Sequence, residues 1–175
     1  MAKKVAVLAV NPVNGAGLFQ YLETFYENKI SYKVFAVSDS TDIRTNSGIA
    51  LQANDIVANL KGHADEYDAL LFSCGDAVPV FQNNANKNYN IDMLAVVREF
   101  AAKNKLMIGH CAAALIFEIA GVTEGKKLSV HPLAKSAIQK GIATNASVTV
   151  DGNYYTAQCE HTVPKLIEVL LDVLR

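Results

Sequence analysis

Cys111 stands in the run Met107-Ile108-Gly109-His110-Cys111-Ala112-Ala113-Ala114-Leu115-Ile116, where an apolar strand turns directly into an apolar helix. A sharp strand-to-helix turn holds a reactive side chain clear of a sheet, and the main chain can bend so tightly only if the residues two before and two after are small. Gly109 and Ala113 fill those positions. The helix start adds free N–H groups and positive partial charge beside the sulfur, which favours thiolate over thiol. The competing reading is a buried, inert cysteine in a Gly/Ala-rich crossover, since free cysteine is among the most buried residue types. The placement of the small residues favours a functional thiol.

Other chemistry-bearing residues gather at expected strand ends. Cys74 closes one core strand, Cys111 the next, and Cys159 follows a strand ending at Ala157; His110, His131 and His161 lie at or just beyond strand ends, whereas His63 sits in a polar connection. In open α/β sheets ligands bind beyond the carboxyl ends of the strands. Three chemistries fit. The first is a nucleophilic thiol, with His131 or His161 moving protons and the Gly75 and Ala112 N–H groups steadying an oxyanion. The second is a zinc or iron site of Cys and His ligands, weakened by spacing, because Cys159-Glu160-His161 is the one close pair. The third is redox chemistry, in which Cys111 oxidises reversibly and Cys74 or Cys159 resolves it as a disulfide. Apart from the thiols, Asn14, Gly15 and Gly17 lie in a Gly-rich strand-to-helix loop that could cradle the phosphate of a nucleotide or flavin. Gln20 stands where a dinucleotide fingerprint needs its third glycine, so a plain tight turn is the stronger reading.

The elements that must position these residues alternate between short β-rich runs and helix-period segments. Val5–Val10 and Tyr32–Val37 read as strands around a helix carrying Leu18, Tyr21, Leu22 and Phe25; Asp42–Ala53 reads as an inserted hairpin around Asn46-Ser47-Gly48. Asp68–Ser73 and Leu106–His110 are core strands separated by a helix over Ile91–Lys103, and Gln82–Asn90 reads as a surface loop. Ala112–Ala120 is the helix leaving the elbow, ended by Gly121. Leu128–Val130, Ser147–Val150 and Tyr154–Ala157 are short strands, with a turn at Asp151-Gly152, and Thr162–Arg175 closes the chain as a helix with Pro164 in its first turn. The pattern predicts an α/β three-layer sandwich, a mostly parallel sheet with helices on both faces, in a single domain over residues 1–175.

Composition sets the outer bounds. The chain has 175 residues, 51% hydrophobic and 19% charged, with a formal net charge of −1, which argues against disorder and against a nucleic-acid partner. The first apolar run is too short for a signal peptide or a membrane span. A cytoplasmic location follows, in which the three cysteines stay reduced.

The elbow at Cys111, the Cys74-Gly75 strand end, the run His131-Pro132-Leu133-Ala134-Lys135 and the strand Tyr155-Thr156-Ala157-Gln158 together resemble the ThiJ/PfpI family over nearly the full length. That resemblance implies a flavodoxin-like sandwich of the class I glutamine amidotransferase-like superfamily, and assembly as a dimer or larger homo-oligomer. It implies Cys111 as the reactive thiol, Gly75 as a backbone oxyanion donor, and no required cofactor. The His131 run is similar to the branch containing the parkinsonism-linked stress protein, where that histidine lies near the cysteine. Family activities include peptidase, glyoxalase or deglycase-like action, isonitrile hydration, chaperoning and oxidation sensing.

Three positions depart from the family pattern. Gly17 aligns with the acid that contacts the thiol, Ala112 stands where the peptidases have a histidine directly after the cysteine, and Gln158 replaces a frequent arginine. Alternation along a strand directs His110 into packing. Gly17 with Ala112 should leave a roomier site than usual, and Asp76 or Glu160 could supply the missing carboxyl, although surface solvation is the commoner role of such residues. The leading reading is a thiol protein acting on a small carbonyl- or amide-like substrate through Cys111. The alternatives are an oxidative-stress sensor using the same thiol, and a binder of a phosphate-bearing cofactor or a metal.

Overall fold

Val5 to Val10 are all buried, as befits a strand covered on both faces. In the computed structural model, which describes residues 3–175, this strand (β1, Lys4–Val10) lies inside a seven-stranded sheet. The other members are β2 (Ser31–Val37), β5 (Asp55–Ile56), β6 (Ala69–Ser73), β7 (Leu106–His110), β10 (Val148–Asp151) and β11 (Tyr154–Ala157), in the order β10-β11-β7-β6-β1-β2-β5. Every pairing is parallel except β10 with β11.

Four α-helices cover the sheet: α1 (Gly15–Glu27), α2 (Asn88–Ala102), α3 (Ala113–Ile119) and α4 (Val163–Leu174). The chain leaves β1 through α1 toward β2, but leaves β6 through α2 toward β7, in the opposite direction across the sheet. Right-handed crossovers therefore put α1 and α2 on opposite faces. Accordingly α1 packs with α4, and α2 with α3. Leu18, Tyr21 and Phe25 form the buried stripe of α1, and Val163, Leu166, Leu170 and Leu174 that of α4. Each such side chain, taken from water, contributes about 1.5–3 kcal/mol. The reversal of direction between β1 and β6 creates a crevice at their carboxyl ends, the place where open α/β sheets bind ligands.

The remaining strands are small. Asp42–Arg44 (β3) and Ala50–Gln52 (β4) form the expected antiparallel hairpin, with Asp42 opposite Gln52. Lys127–Leu128 (β8) pairs in parallel with Ile142–Ala143 (β9), so the expected strand over Leu128–Val130 is shorter and shifted. Neither β5 nor β9 is visible as a sequence pattern, because two residues carry no periodicity. Part of the expected Gln82–Asn90 loop is structured: a 3-10 turn covers Phe81–Asn84 and α2 already begins at Asn88. The late hairpin turns at Gly152-Asn153, one residue later than expected, since Asp151 still pairs with Tyr154. Gly121, at φ 79°, ends α3 as anticipated.

Candidate functional site

Cys111 has φ 59°, a left-handed conformation that side chains other than glycine rarely adopt. The elbow is held from two sides: the Cys111 N–H donates to the Ala157 carbonyl of β11 at 3.1 Å, and the His131 N–H donates to the Cys111 carbonyl at 2.9 Å. A Cβ added at Gly109 would collide with that of Ala113, so the small-residue requirement is met on both sides of the turn. Gly75 is equally constrained. A Cβ there would lie 2.5 Å from the Val13 Cα and collide with the Pro12 carbonyl, and the Asn14 N–H donates to the Cys74 carbonyl at 2.9 Å. The loops after β1 and β6 thus touch backbone to backbone at the crevice.

These ends open into a pocket of about 460 Å³ lined by Cys111, Cys74, Asp76, Glu160, His131 and Asn14 among others, with Leu115, Leu133 and Val78 giving it apolar walls. Asn46 reaches its mouth from the hairpin and accepts the Asp76 N–H at 3.0 Å. Part of the wall is a 3-10 turn over Pro132–Ala137, capped by His131, and the segment after it is tied to α3. There the Glu118 carboxylate accepts the N–H groups of Gln139, Lys140 and Gly141 at 3.0, 2.6 and 3.1 Å, together with the Thr123 hydroxyl.

Cys111 is half-buried and Cys74 fully buried. Phe72 pairs with Gly109 near the ends of the two strands, and Cys74 and Cys111 follow directly beyond those ends, with their thiols in contact. A hydrogen bond from the Cys74 thiol, followed by the Ala112 N–H, holds the Cys111 thiol below its ordinary value against partial burial and the carboxylates of Glu160 and Asp76. The same exchange, with burial, pushes Cys74 well up. Of the two, the accessible thiol is the more readily ionised. Cys74 Sγ also lies 3.9 Å from the Gly75 carbonyl, a long contact.

His131 lines the pocket, and its Nδ1 accepts the Leu133 N–H at 3.2 Å, which leaves the proton of the neutral ring on Nε2. Among the described residues, neither the Gly75 nor the Ala112 N–H donates to a backbone oxygen; the Ala112 N–H is directed at the sulfurs of Cys111 and Cys74, and the Gly75 N–H at that of Cys74.

Several expected positions are corrected. His161 is not a pocket residue: its side chain is 86% exposed, and the 3-10 turn over Glu160–Thr162 sends it to solvent while Glu160 turns inward. Of the Gly-rich loop only Asn14 reaches the pocket. Gly15 lines a separate surface groove between α1 and α4, and the Gly17 N–H is taken by Asn14 Oδ1 at 2.6 Å as the cap of α1. Nor does Gly17 leave a gap. A Cβ there would lie 2.7 Å from His110 Cε1 and still closer to Nε2, so His110 fills the space. That histidine is indeed directed into packing: it is 1% exposed and packs against Tyr21 in a tilted arrangement, ring centroids 5.6 Å apart. Among the described residues its Nε2 has no hydrogen-bond partner, and burial lowers its pKa to about 4. Cys159 does not line the pocket; it caps the turn through Thr162. Among the described residues no three His, Cys, Asp or Glu side chains are grouped to hold a metal ion, and no helix is long and apolar enough to cross a membrane. Glu160 and Asp76 were legible only as acids near strand ends; no sequence signal separated them from surface residues.

Residues 3–173 match the model of the DJ-1/PfpI family. The chain is 64% identical over 174 residues to protein ppBat of Bacteroides thetaiotaomicron, covering 97% of this chain and 99% of that one. It superposes with a TM-score of 0.98 on a crystal structure from Bacteroides thetaiotaomicron named a candidate protease I, at 61% identity over 99% of this chain and 100% of the other. A cysteine-to-alanine mutant of a DJ-1 superfamily protein from Salmonella typhimurium shares the fold at a TM-score of 0.86 and 22% identity, covering 98% of this chain and 90% of its own. With the elbow, the sheet order and these matches agreeing over almost every residue, the chain belongs to the DJ-1/PfpI family.

Proposed function

We propose that the protein is a thiol enzyme that attacks the electrophilic carbon of a small carbonyl or amide substrate through Cys111. The observation that carries this reading is Cys111 half-accessible on a left-handed turn in a largely apolar pocket, with the Cys74 thiol and the Ala112 N–H beside its sulfur. Cys111 Sγ forms a bond to the carbonyl carbon, and the π electrons move to oxygen, which the Gly75 and Ala112 N–H groups receive. Cys74 keeps its proton and acts as hydrogen-bond donor to the thiolate, a role that no side chain at Gly17 can fill. With its proton on Nε2, His131 is suited to donating a hydrogen bond to the leaving group, which takes its proton from water. The name of one relative, the candidate protease I, agrees with hydrolysis and leaves the substrate open. Turnover of methylglyoxal and of a chromogenic amide by the wild type, lost in Cys111→Ser with the fold intact, is the expected result. No turnover of a broad panel of both classes would overturn it.

One observation favours a second reading, a peroxide sensor. Cys74 and Cys111 each follow directly on the end of one of two paired parallel strands, and their thiols are in hydrogen-bond contact. Peroxide would transfer an oxygen to the Cys111 thiolate to give a sulfenic acid; attack by Cys74 sulfur would then form the disulfide and expel water. Mild peroxide should yield peptides linked through Cys74 and Cys111, whereas Cys74→Ser should accumulate sulfinic acid at Cys111. Unlinked and unoxidised cysteines under those conditions would exclude the sensor.

A further inference from the structure

The charges around Cys111 are of one sign. Asp76, in the loop after β6, and Glu160, in the turn after β11, reach the pocket from different strand ends. Neither is neutralised. Asp76 makes no ion pair among the described residues, and the nearest cationic candidate to Glu160 is the solvent-exposed His161 ring at 3.8 Å. Among the described residues no lysine or arginine lines the pocket; apart from the two thiols and the two carboxylates, its titratable group is His131. Both carboxylate fields extend to the sulfur, where they oppose its ionisation. A site organised only to make a thiolate would place a cation here. Two uncompensated carboxylates become useful when the incoming molecule brings the positive charge itself.

We infer that the pocket selects substrates carrying an ammonium or guanidinium group and repels anionic ones, through Asp76 and Glu160. The inference rests on Cys111 being the reacting thiol and names the class of compound that this thiol meets. A low-dielectric pocket with charges of one sign concentrates the opposite charge and raises its encounter rate, an effect that salt screens. The apolar walls from Val78, Leu115 and Leu133 would take the carbon chain, leaving the cationic end to the rim. Asp76 is exposed and Glu160 partly so, which suits groups that meet a charge at the mouth of a site.

Charge selection can be measured without knowing the substrate, using methanethiosulfonate reagents on the full-length protein. The Cys111 thiolate attacks the sulfenyl sulfur, a disulfide forms, and methanesulfinate leaves with the bonding pair. Rates at Cys111, followed by peptide mass spectrometry, are compared for trimethylammonium-ethyl, sulfonato-ethyl and neutral methyl reagents, with 2-mercaptoethanol as an uncharged reference thiol. The cationic-to-anionic rate ratio should exceed that of the reference by on the order of tenfold at low ionic strength. It should fall toward the reference in Asp76→Asn/Glu160→Gln and, in the unmutated protein, at 1 M salt. A ratio equal to the reference, or one unchanged by salt, overturns charge selection while leaving the thiol reading intact. If Cys111 reacts with none of the three reagents, the thiol reading itself fails, and this inference with it.

Discussion

Replacing Cys74 by alanine removes the largest influence that favours the Cys111 thiolate. What remains is one favourable group, the Ala112 N–H, set against partial burial and the carboxylates of Glu160 and Asp76. The balance should change sign, so that Cys111 titrates above an ordinary cysteine instead of below it. A hydrogen bond to a charged group contributes about 1.5–3 kcal/mol, and about 1.4 kcal/mol is a factor of ten. Alkylation by iodoacetamide should therefore slow by about ten- to a hundred-fold on the rising limb of its pH–rate profile, with the midpoint displaced to higher pH. Cys74→Ser retains an O–H donor and should lie between the alanine variant and the wild type, while Cys159→Ala should match the wild type. Loss of the buried sulfur in Cys74→Ala costs about 1 kcal/mol of stability, too little to unfold the protein, and circular dichroism controls for that. A midpoint unmoved in Cys74→Ala would refute the reasoning and assign the low titration of Cys111 to the turn itself.

The contact between Gly17 and His110 makes Gly17→Ala destabilising by about 1–3 kcal/mol in urea unfolding, and the cost should shrink in Gly17→Ala/His110→Ala. For the same reason Gly17→Glu should not gain turnover; gain would mean that His110 yields the space. His110 is neutral when folded, with a pKa of about 4 against about 6.5 unfolded, so its contribution is complete above pH 6.5 and is lost as pH falls toward 4. The unfolding free energy should drop by about 3 kcal/mol more over that range than in His110→Phe, and equal pH slopes for the two proteins would contradict this. Glu118→Ala should make the segment 138–141 sensitive to protease, because three backbone N–H groups lose their acceptor; unchanged cleavage would show that the wall is held elsewhere.

The elbow was legible because its demand is steric and local: Gly109 and Ala113 must be small for Cys111 to sit between strand and helix, and spacing alone records that. Cys74-Gly75 was legible as a strand end, but the backbone contact that forces glycine at 75 comes from Pro12 and Val13, more than sixty residues away. The choice between Glu160 and His161 depends on the phase of one short 3-10 turn, which residue types do not encode. Gly17 misled for a related reason. Its missing side chain suggested empty space, yet the neighbouring chain segment at His110 occupies it, and a gap in a sequence says nothing about what another strand brings there. The central strands and the long helices were readable from their apolar runs and 3.6-residue stripes, whereas β5 and β9 exist only because edge partners are available to them.

The left-handed backbone at Cys111 separates what the fold would choose from what the chemistry requires. A side chain other than glycine in that conformation costs about 1–2 kcal/mol, which glycine avoids. A library randomised at this codon and sorted only for heat resistance should drift toward Gly or Asn, shedding the thiol as it does so. Cysteine would return only when the sorting step also demanded reaction. The torsion angle of a single residue thus offers a way to ask a population of variants, rather than a single assay, whether the sulfur is under use.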